Sequence, residues 1–354
     1  MSGVGSDLPV AAFDYDLPSE LIAQTPLEVR DSSRMLVVNR ETHRLTHDSI
    51  TSLPTWLDPG DLIVANNSRV IPARIKARRV PTGGLIEFLL LQRDEDGVWS
   101  ALAKPARRLH VGDSLDLIAR SPDSGAAGSI SIVDCMHDGL VRLRFHDKAE
   151  TDLAAFGVVP LPPYIRASLE DQDRYQTLYA AVPGSAAAPT AGLHVTPRLR
   201  ESLQARGVAW AEVTLHIGLD TFRPVTVERV ADHQIHTEWC TVSAEVADRI
   251  AKTRRNGGRV IALGTTAART LETLGSHWES APGSGFAGPT GIFITPGYRW
   301  KLVNALLTNF HLPRSTLLMM ISALAGRETI LAAYHEAIAE KYRFFSFGDA
   351  MLIV

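Results

Sequence analysis

The sequence predicts an α/β fold in which a discontinuous α/β domain carries an inserted six-stranded antiparallel β-barrel. Residues 70–145 of the 354-residue chain contain six short β-rich runs separated by turns, without the periodicity of a helix. After residue 196 strand-like and helix-like segments alternate, as in α/β domains, and further strand-like segments precede residue 69. We therefore expect residues 1–69 and 156–354 to form one α/β domain, with residues 70–155 inserted as the barrel.

The segments before and within the predicted barrel are assigned from their apolar patterns. MLVVN at 35–39 and DLIVAN at 61–66 are strands of the kind that α/β sheets bury. In the barrel, Val141, Leu143 and Phe145 alternate with arginines, which is the pattern of an antiparallel strand with one buried face. A Pro-Pro pair at 162–163 makes the expected exit from the insertion stiff.

The later part of the chain alternates between the two kinds of element. Thr196 and Pro197 begin a helix that ends before Gly207, because Thr caps a helix, Pro suits its first turn and Gly follows its end. The elements predicted after it are a strand at 208–216, a helix at 243–255, a strand at 259–263 and a helix at 265–274. Near the C-terminus we expect helices at 317–325 and 330–342 and a last strand at 343–347.

Composition excludes several classes of protein. The formal net charge is −3 and 45% of the residues are hydrophobic, which is typical of globular domains. Cys135 and Cys240 lie too far apart in sequence for a CxxC pair or a thiolate zinc site, and a reducing cytoplasm is expected. The longest uncharged apolar run, 317–325, is too short to span a membrane, and the acidic N-terminus argues against a signal peptide.

A run of small residues at 186–194 ends in His194, just before the helix start at Thr196. Small residues let the backbone approach a ligand, a helix N-terminus presents free N–H groups, and an imidazole exchanges protons near neutral pH. The alternative is a packed loop whose histidine only caps the helix. Similarly, the strand ending at His216 leads into a turn with Asp220 and Thr221, and these side chains face either a site or solvent.

His233, His236 and Glu238 suggest a metal site, because two imidazoles and a carboxylate are common ligands. They lack a recognisable further ligand and lie between strand-like segments, where residues three apart point to opposite faces. We therefore expect no metal, and a substrate-binding or structural role for this segment.

Polar side chains also collect at two other predicted helix starts. Asn309 and His311 precede one helix, and Thr265 and Thr266 open another directly after a strand. The sequence has neither GxGxxG nor GxxxxGK[ST], so it supports neither a dinucleotide site nor a P-loop.

Basic residues gather in the predicted barrel, although the whole chain is slightly acidic. Residues 69–79 carry five positive charges and no carboxylate, and a second basic group follows at 104–108. Such a patch suits contacts with a phosphate backbone, and the alternative is an ordinary solvated strand face.

Ten segments between Phe13 and Met351 form an ordered set, of which PTAGLH and TNFHLP are the most specific. The others include GDLIVANNSRVIPARI, VTLHIGLDTFRPV, DHQIHTE, VIALGTTAARTLE and EKYRFFSFGDAM. Together they resemble the S-adenosylmethionine:tRNA ribosyltransferase-isomerase family of queuosine biosynthesis, and the resemblance covers nearly the whole chain.

The resemblance implies an enzyme that transfers and isomerises the ribosyl part of S-adenosylmethionine onto 7-aminomethyl-7-deazaguanine at the wobble position of a tRNA. The products are epoxyqueuosine in tRNA, adenine and methionine, so S-adenosylmethionine is a consumed substrate and no cofactor is expected. The family's fold is an α/β domain with a six-stranded barrel. The expected partners are this tRNA and S-adenosylmethionine, without a membrane or an obligate protein partner, in the cytoplasm.

This chemistry needs a base for the proton next to the sulfonium, an acid for the departing adenine, and polar groups that hold the ribose hydroxyls. We predict that His194 and His311 are catalytic, with the acid and base roles left unassigned between them. The predicted substrate-binding residues are Thr190, His216, Thr221, Glu238, Thr265, Thr266 and Asn309. The predicted tRNA-binding residues are Arg69, Arg74, Lys104, Arg107 and Arg108.

The chain departs from the family's pattern at Asp220, Gly291 and Phe347, where the family has Gly, a polar residue and Tyr. Asp220 adds a carboxylate beside the predicted site, where it would affect recognition of a cationic sulfonium or amine. Two other functions remain open. One is an S-adenosylmethionine-dependent tRNA methyltransferase, although the Gly-rich loop usual in that class is missing; the other is a catalytically silent tRNA-binding protein.

Overall fold

The computed structural model describes residues 8–94, 96–169, 171–218, 225–278 and 283–354. The chain divides into two compact units. The first, called the α/β unit, comprises Met1–Ser68, Pro163–Val182 and Pro189–Val354. The second, called the barrel unit, comprises Arg69–Pro162 and Pro183–Ala188. The sequence-based domain limits, 1–69 with 156–354 for the α/β domain and 70–155 for the barrel, stay a prediction.

A nine-stranded mixed sheet forms the centre of the α/β unit. Its strands are β1 (Arg34–Val38), β2 (Leu45–Ser49), β3 (Leu62–Asn66), β12 (Ala209–Leu215), β13 (Glu238–Val242), β14 (Val260–Leu263), β15 (Phe286–Thr290), β16 (Ala305–Asn309) and β17 (Ala350–Ile353). Their order in the sheet is β15-β13-β12-β3-β14-β16-β17-β1-β2. The four central strands β12, β3, β14 and β16 run parallel. Their carboxyl ends therefore meet at one edge of the sheet.

Five helices belong to the α/β unit: α2 (Pro197–Ala205), α3 (Ala244–Arg255), α4 (Thr265–His277), α5 (Thr316–Ala325) and α6 (Arg327–Ala339). The side chains of Thr196, Ser243 and Ser315 cap α2, α3 and α5 by accepting a hydrogen bond from a first-turn N–H. The α2 cap and the first-turn Pro197 are as predicted. Short 3-10 helices at Arg30–Ser32 and Thr190–His194 also belong to this unit.

The sheet is buried on both faces, because successive strand residues point into different apolar layers. On β3, Val64 packs with Leu271 and Met319 in a layer that we call the α4 layer. Its neighbour Ile63 packs with Leu199 in the opposite layer, called the α2 layer. Residues of β16 alternate in the same way, so that even-numbered residues face the α4 layer and odd-numbered residues the α2 layer.

The barrel unit contains six antiparallel strands that close into a barrel. The strands are β5 (Arg74–Arg79), β6 (Leu85–Arg93), β7 (Val98–Lys104), β8 (Ser114–Leu117), β9 (Ser129–Cys135) and β10 (Leu140–Phe145). Their order is β10-β7-β6-β5-β8-β9, which confirms the predicted fold class. Val141, Leu143 and Phe145 are buried, as their alternation with arginines predicts. The short helix α1 (Leu153–Phe156) follows β10, and β4 (Ser68–Val70) pairs with β11 (Val182–Ser185) as a separate two-stranded sheet.

The C-terminal elements differ from the sequence prediction. The prediction of a strand at 343–347 is wrong, because Phe345 has a φ of +69°, which is incompatible with an extended strand. The actual last strand is β17, which begins directly after Asp349. Asp349 accepts hydrogen bonds from the N–H groups of Arg34 and Arg343, and these bonds fix the turn that precedes β17. The helix expected at 330–342 begins earlier, at Arg327, and ends at Ala339, before Lys341 adopts a φ of +55°.

Within the described ranges, no helix by itself has the length and apolar composition needed to cross a membrane. By those two criteria α5 and α6 qualify only as a pair, and they meet at a bend of 113°.

Candidate functional site

Polar residues of the α/β unit lie at the carboxyl ends of the four parallel strands. Asn66 ends β3, His216 directly follows β12, Thr265 follows Gly264 after β14, and Asn309 ends β16. This edge is where open α/β sheets bind their ligands. The structure therefore brings together, at one edge, segments that are as much as 243 residues apart in sequence, from Asn66 to Asn309.

His194 is the last residue of the 3-10 helix Thr190–His194 and is only 4% exposed. Its Nδ1 atom lies 3.0 Å from the Ser33 hydroxyl, and its Nε2 atom lies 3.4 Å from the Asn309 side-chain nitrogen. The 3-10 helix packs tightly, since a Cβ on Gly192 would lie 2.0 Å from the Tyr179 hydroxyl. The sequence signal of small residues before His194 thus corresponds to a close approach of the backbone to an aromatic ring.

Asn309 fixes the proton on the His194 ring. Its Nδ2 atom donates to the backbone carbonyls of Phe345, at 3.1 Å, and Gly348, at 3.5 Å, which orients the amide with its N–H groups towards the histidine. An amide N–H facing Nε2 requires a lone pair there, so the proton of neutral His194 lies on Nδ1. The Asn309 Oδ1 atom is buried and has no hydrogen-bond partner among the described residues.

The charge state of His194 follows from its burial. Burial lowers the pKa of His194 to about 4, against an opposing hydrogen bond to the Arg30 backbone, and the Arg343 and Arg30 guanidinium groups lower it further. The imidazole is therefore neutral at pH 7 and has a free electron pair on Nε2. In this state it accepts a proton and does not donate one from Nε2.

His311 is also buried, and its environment is different. Its Nε2 atom lies 3.0 Å from the Thr308 hydroxyl, the Tyr15 hydroxyl donates to its carbonyl, and its N–H donates to the Tyr334 hydroxyl. Burial lowers the pKa of His311 to about 3. Thr308 and Asn309 are neighbours on a strand and point to opposite faces. No hydrogen bond between described residues joins His311 to His194.

The N-terminus of α4 lies beside the 3-10 helix that carries His194. Gly264 has a φ of +88° and forms the turn from β14 into α4, and a Cβ there would lie 3.5 Å from the Ala191 Cβ. Thr265 and Thr266 form the first turn and are 8% and 7% exposed. The Thr266 hydroxyl accepts a hydrogen bond from Asn66. Helix α4 thus directs its free first-turn N–H groups to the same edge as His194 and Asn309.

Glu238 and Arg269 form a buried ion pair at the other end of this edge, with side chains 2% and 5% exposed. Glu238 also accepts a hydrogen bond from the Gly218 N–H at 2.9 Å and pairs with His236 at 3.2 Å. Burial alone would raise the pKa of Glu238, but Arg269, His236 and the Gly218 N–H together hold it below its usual value. Glu238 is therefore ionised at neutral pH and its oxygens are already engaged.

The other predicted substrate-binding residues have less defined surroundings. Thr190 begins the His194 3-10 helix and is partly exposed. His216 is partly exposed as well; burial lowers its pKa, and its Nδ1 atom is buried without a partner among the described residues. Thr221 and Asp220 lie outside the described residues.

The two remaining departures from the family's pattern lie in the α/β unit. Phe347 lines a pocket with His194, Arg30 and Arg174, and its ring packs edge-on against Tyr175. A Cβ on Gly291 would meet only the Thr237 hydroxyl, at 3.7 Å, so the position has room for a side chain.

Among the described residues, no group of three or more His, Cys, Asp or Glu side chains is arranged to hold a metal ion. His233 and His236 do not converge on one point with a carboxylate, since His236 pairs with Glu238 while His233 packs against Phe293.

Arg269 is the site residue that the sequence analysis missed. It lies within VIALGTTAARTLE, where it is the only basic residue of a helix start that is otherwise small or apolar. The first eleven residues of α4 are all buried, which makes a charge there unusual, but this burial is visible only in the structure and no sequence signal identifies Arg269.

The five predicted tRNA-binding residues all lie in the barrel unit. Those with exposed side chains are Arg69, Lys104, Arg107 and Arg108. Arg74 is partly exposed and lies 3.5 Å from Glu87, an ion pair that reduces its positive field. Arg107 and Arg108 lie in one 3-10 helix, Ala106–Arg108, directly after Lys104 ends β7. These three residues form a compact basic group.

Comparison with known proteins agrees with the sequence resemblance. A family model described as "Queuosine biosynthesis protein" matches residues 10–353. A protein from Acetivibrio thermocellus named S-adenosylmethionine:tRNA ribosyltransferase-isomerase is 48% identical over 349 residues, which is 98% of this chain and 100% of that protein. The crystal structure of S-adenosylmethionine tRNA ribosyltransferase from Thermotoga maritima is 38% identical, with a TM-score of 0.55, and covers 97% of this chain and 100% of its own.

Proposed function

The chain belongs to the queuosine biosynthesis protein family, as an S-adenosylmethionine:tRNA ribosyltransferase-isomerase, and we propose that its acceptor is 7-aminomethyl-7-deazaguanine at the wobble position of tRNA. The ribosyl part of S-adenosylmethionine is transferred to the aminomethyl group and isomerised, giving epoxyqueuosine, adenine and methionine. S-adenosylmethionine is consumed, and the reaction needs no cofactor. The expected compartment is the cytoplasm, where this substrate and tRNA are available.

The observation that carries this proposal is the buried pair of His194 and Asn309 at the carboxyl edge of the sheet. The Asn309 Oδ1 atom is a buried acceptor without a donor among the described residues, and the neutral His194 Nε2 has only a long contact, 3.4 Å, with the Asn309 side-chain nitrogen. Buried acceptors normally have a partner, so we expect a ligand with polar hydrogen atoms to supply the missing donor. The S-adenosylmethionine ribose carries two such hydroxyls, and the acceptor amine carries N–H groups.

We assign the first proton transfer to His194. Removal of a proton from the carbon next to the sulfonium requires a group that is unprotonated at neutral pH, and burial keeps His194 in that form. Thr190, Thr265, Thr266 and His216 are proposed to orient the ribose and adenine, with the first-turn N–H groups of α4. His311 stays a candidate for the second proton transfer, to the departing adenine.

The decisive experiment is incubation of the protein with S-adenosylmethionine and tRNA that carries 7-aminomethyl-7-deazaguanine, followed by mass spectrometry. We expect adenine and methionine in equal amounts and a tRNA nucleoside that has gained the ribosyl-derived epoxycyclopentane. S-adenosylhomocysteine with a methylated nucleoside would instead establish a methyltransferase. Binding of tRNA without any product would establish a silent binding protein. A tRNA with unmodified guanine at the wobble position is the control for the acceptor.

We further propose that the basic residues of the barrel unit contact tRNA phosphates. Neutralising Lys104, Arg107 and Arg108 together should weaken tRNA binding and reduce the slope of log K against log salt by up to about one unit for each phosphate that is no longer neutralised. Affinity for S-adenosylmethionine should stay within a few-fold. Arg69→Ala and Arg74→Ala are tested in the same way.

Arg255→Ala, which removes one positive charge at an exposed position in the last turn of α3, is the charge-matched control for the single variants Arg69→Ala and Arg74→Ala. A triple variant with the salt slope of the unchanged protein would show that the patch is solvated surface.

A further inference from the structure

Arg269 has hydrogen-bonding capacity that the protein leaves unused. Its side chain is 5% exposed, and its Nη1 atom donates to Glu238. The Nε and Nη2 atoms are buried and have no hydrogen-bond partner among the described residues. Donors of a buried guanidinium are rarely left unpaired, because the loss of their hydration is costly.

The two unused donors form one edge of the guanidinium plane. The N–H bonds of Nε and Nη2 point in nearly the same direction, at the spacing of the two oxygens of a carboxylate. The third nitrogen is already held by Glu238, which fixes the plane of the group. The open edge is therefore preorganised to bind a planar, two-oxygen anion.

A pocket that Arg269 lines has mostly apolar walls. Arg269 and His236 supply its polar lining together with Thr316 of α5, and the remaining lining residues are Ile235, Ile292, Phe293, Ile294, Leu317 and Met320. A short aliphatic chain that ends in a carboxylate suits such walls. A phosphate of a nucleic-acid backbone does not, because it is flanked on both sides by sugars.

Charge balance agrees with this ligand. Arg269 and Glu238 neutralise each other, so an isolated extra anion would leave a net negative charge in a buried pocket. The amino-acid end of S-adenosylmethionine is a zwitterion, whose ammonium group compensates its own carboxylate. It enters this pocket without a change in net charge.

We propose that Arg269 binds the α-carboxylate of the methionine part of S-adenosylmethionine through its Nε and Nη2 edge, which makes it a specificity-determining residue for the donor substrate. This inference rests on the proposed function, which supplies the ligand. Glu238 acts through Arg269 as a positioning residue, because both of its oxygens are engaged within the protein.

The test is a comparison of two ligands by isothermal titration calorimetry. S-adenosylmethionine and decarboxylated S-adenosylmethionine differ only in the carboxylate. With the unchanged protein we expect S-adenosylmethionine to bind roughly 10- to 100-fold more tightly, the ratio that loss of charge-assisted hydrogen bonds gives. Arg269→Lys keeps the charge and loses the two-pronged geometry, so the ratio should fall to within about 3-fold. Arg249→Lys, a partly exposed position on α3, is the matched control and should keep the full ratio.

Two outcomes would overturn the inference. One is a ratio near one in the unchanged protein, and the other is an unchanged high ratio in Arg269→Lys. If Arg269→Lys does not fold, the double variant Arg269→Gln/Glu238→Gln removes both charges of the pair and is used in its place. The test is independent of turnover: a protein that makes the expected products without discriminating the two ligands refutes only this inference. One that discriminates them without making products refutes only the proposed reaction, and one that binds neither refutes both.

Discussion

Replacement of His194 with Gln is expected to lower kcat by roughly 10²-fold or more, while the Kd of S-adenosylmethionine changes only a few-fold. The reason is that a general base contributes about two to four orders of magnitude to rate, whereas a neutral Gln keeps the polar contacts of a neutral imidazole. The Gln amide replaces part of the hydrogen bonding of His194 with Ser33 and Asn309, so we expect only a small loss of stability. Single-turnover formation of adenine is the measurement, because it separates chemistry from product release.

The pH dependence of kcat tests the lowered pKa of His194. Since burial lowers the pKa of His194 to about 4, the imidazole stays unprotonated down to about pH 5. The acid limb of kcat in the unchanged protein should therefore be absent between pH 7 and 5, and should begin only as the pH approaches 4. An unperturbed histidine would give a limb near pH 6.5.

His335→Gln, at an exposed position on α6, is the control for loss of an imidazole as such. His311→Gln is measured in the same assay and decides whether the second histidine takes part in the chemistry. A folded His194→Gln variant with turnover within a few-fold of the unchanged protein would remove His194 from the mechanism.

The sequence was sufficient for features that depend on local pattern. Alternation in Val141, Leu143 and Phe145 predicted a barrel strand with one buried face, and Thr196 with Pro197 predicted the start of α2. Both follow from neighbours within a few residues. The turn at Phe345 was not predictable in this way, because its positive φ is held by hydrogen bonds from Arg34 and Arg343 to Asp349, and Arg34 is 315 residues away from that carboxylate.

The site was only partly predictable, for the same reason. His194 and Asn309 were both selected from the sequence, but their contact depends on the order of the parallel strands, which no local pattern encodes. His194 and His311 were both predicted to be catalytic from similar loops, but no local pattern showed that His311 would lie against Thr308 and His194 against Asn309, two neighbours on a strand that point to opposite faces. The burial of Arg269 depends on how α4 packs between other elements. Its position in the helix therefore did not indicate, from the sequence alone, that its side chain would be buried.

Lowering the pH from 7 to 5 is expected to reduce the free energy of unfolding by about 2 kcal/mol through His311 alone. Burial lowers its pKa in the folded protein to about 3, whereas the unfolded chain has the ordinary value of about 6.5. Between these values the unfolded chain binds the proton and the folded protein does not. Stability is therefore complete above about pH 6.5 and falls as the pH decreases towards 3. His194 adds an effect of the same sign between about pH 6.5 and 4.

Urea unfolding followed by tryptophan fluorescence is a suitable measurement, because one of the six tryptophans, Trp300, packs against the same apolar layer as Phe310. His311→Gln should be less stable than the unchanged protein at pH 7, because it gives up the packing of the ring. The difference should shrink by about 2 kcal/mol at pH 5, since Gln has no proton to gain. His335→Gln is again the control. A stability difference between His311→Gln and the unchanged protein that is the same at both pH values would show that His311 binds its proton equally in the folded and unfolded states, and that burial among Tyr15, Tyr334 and Thr308 does not exclude the charged imidazole.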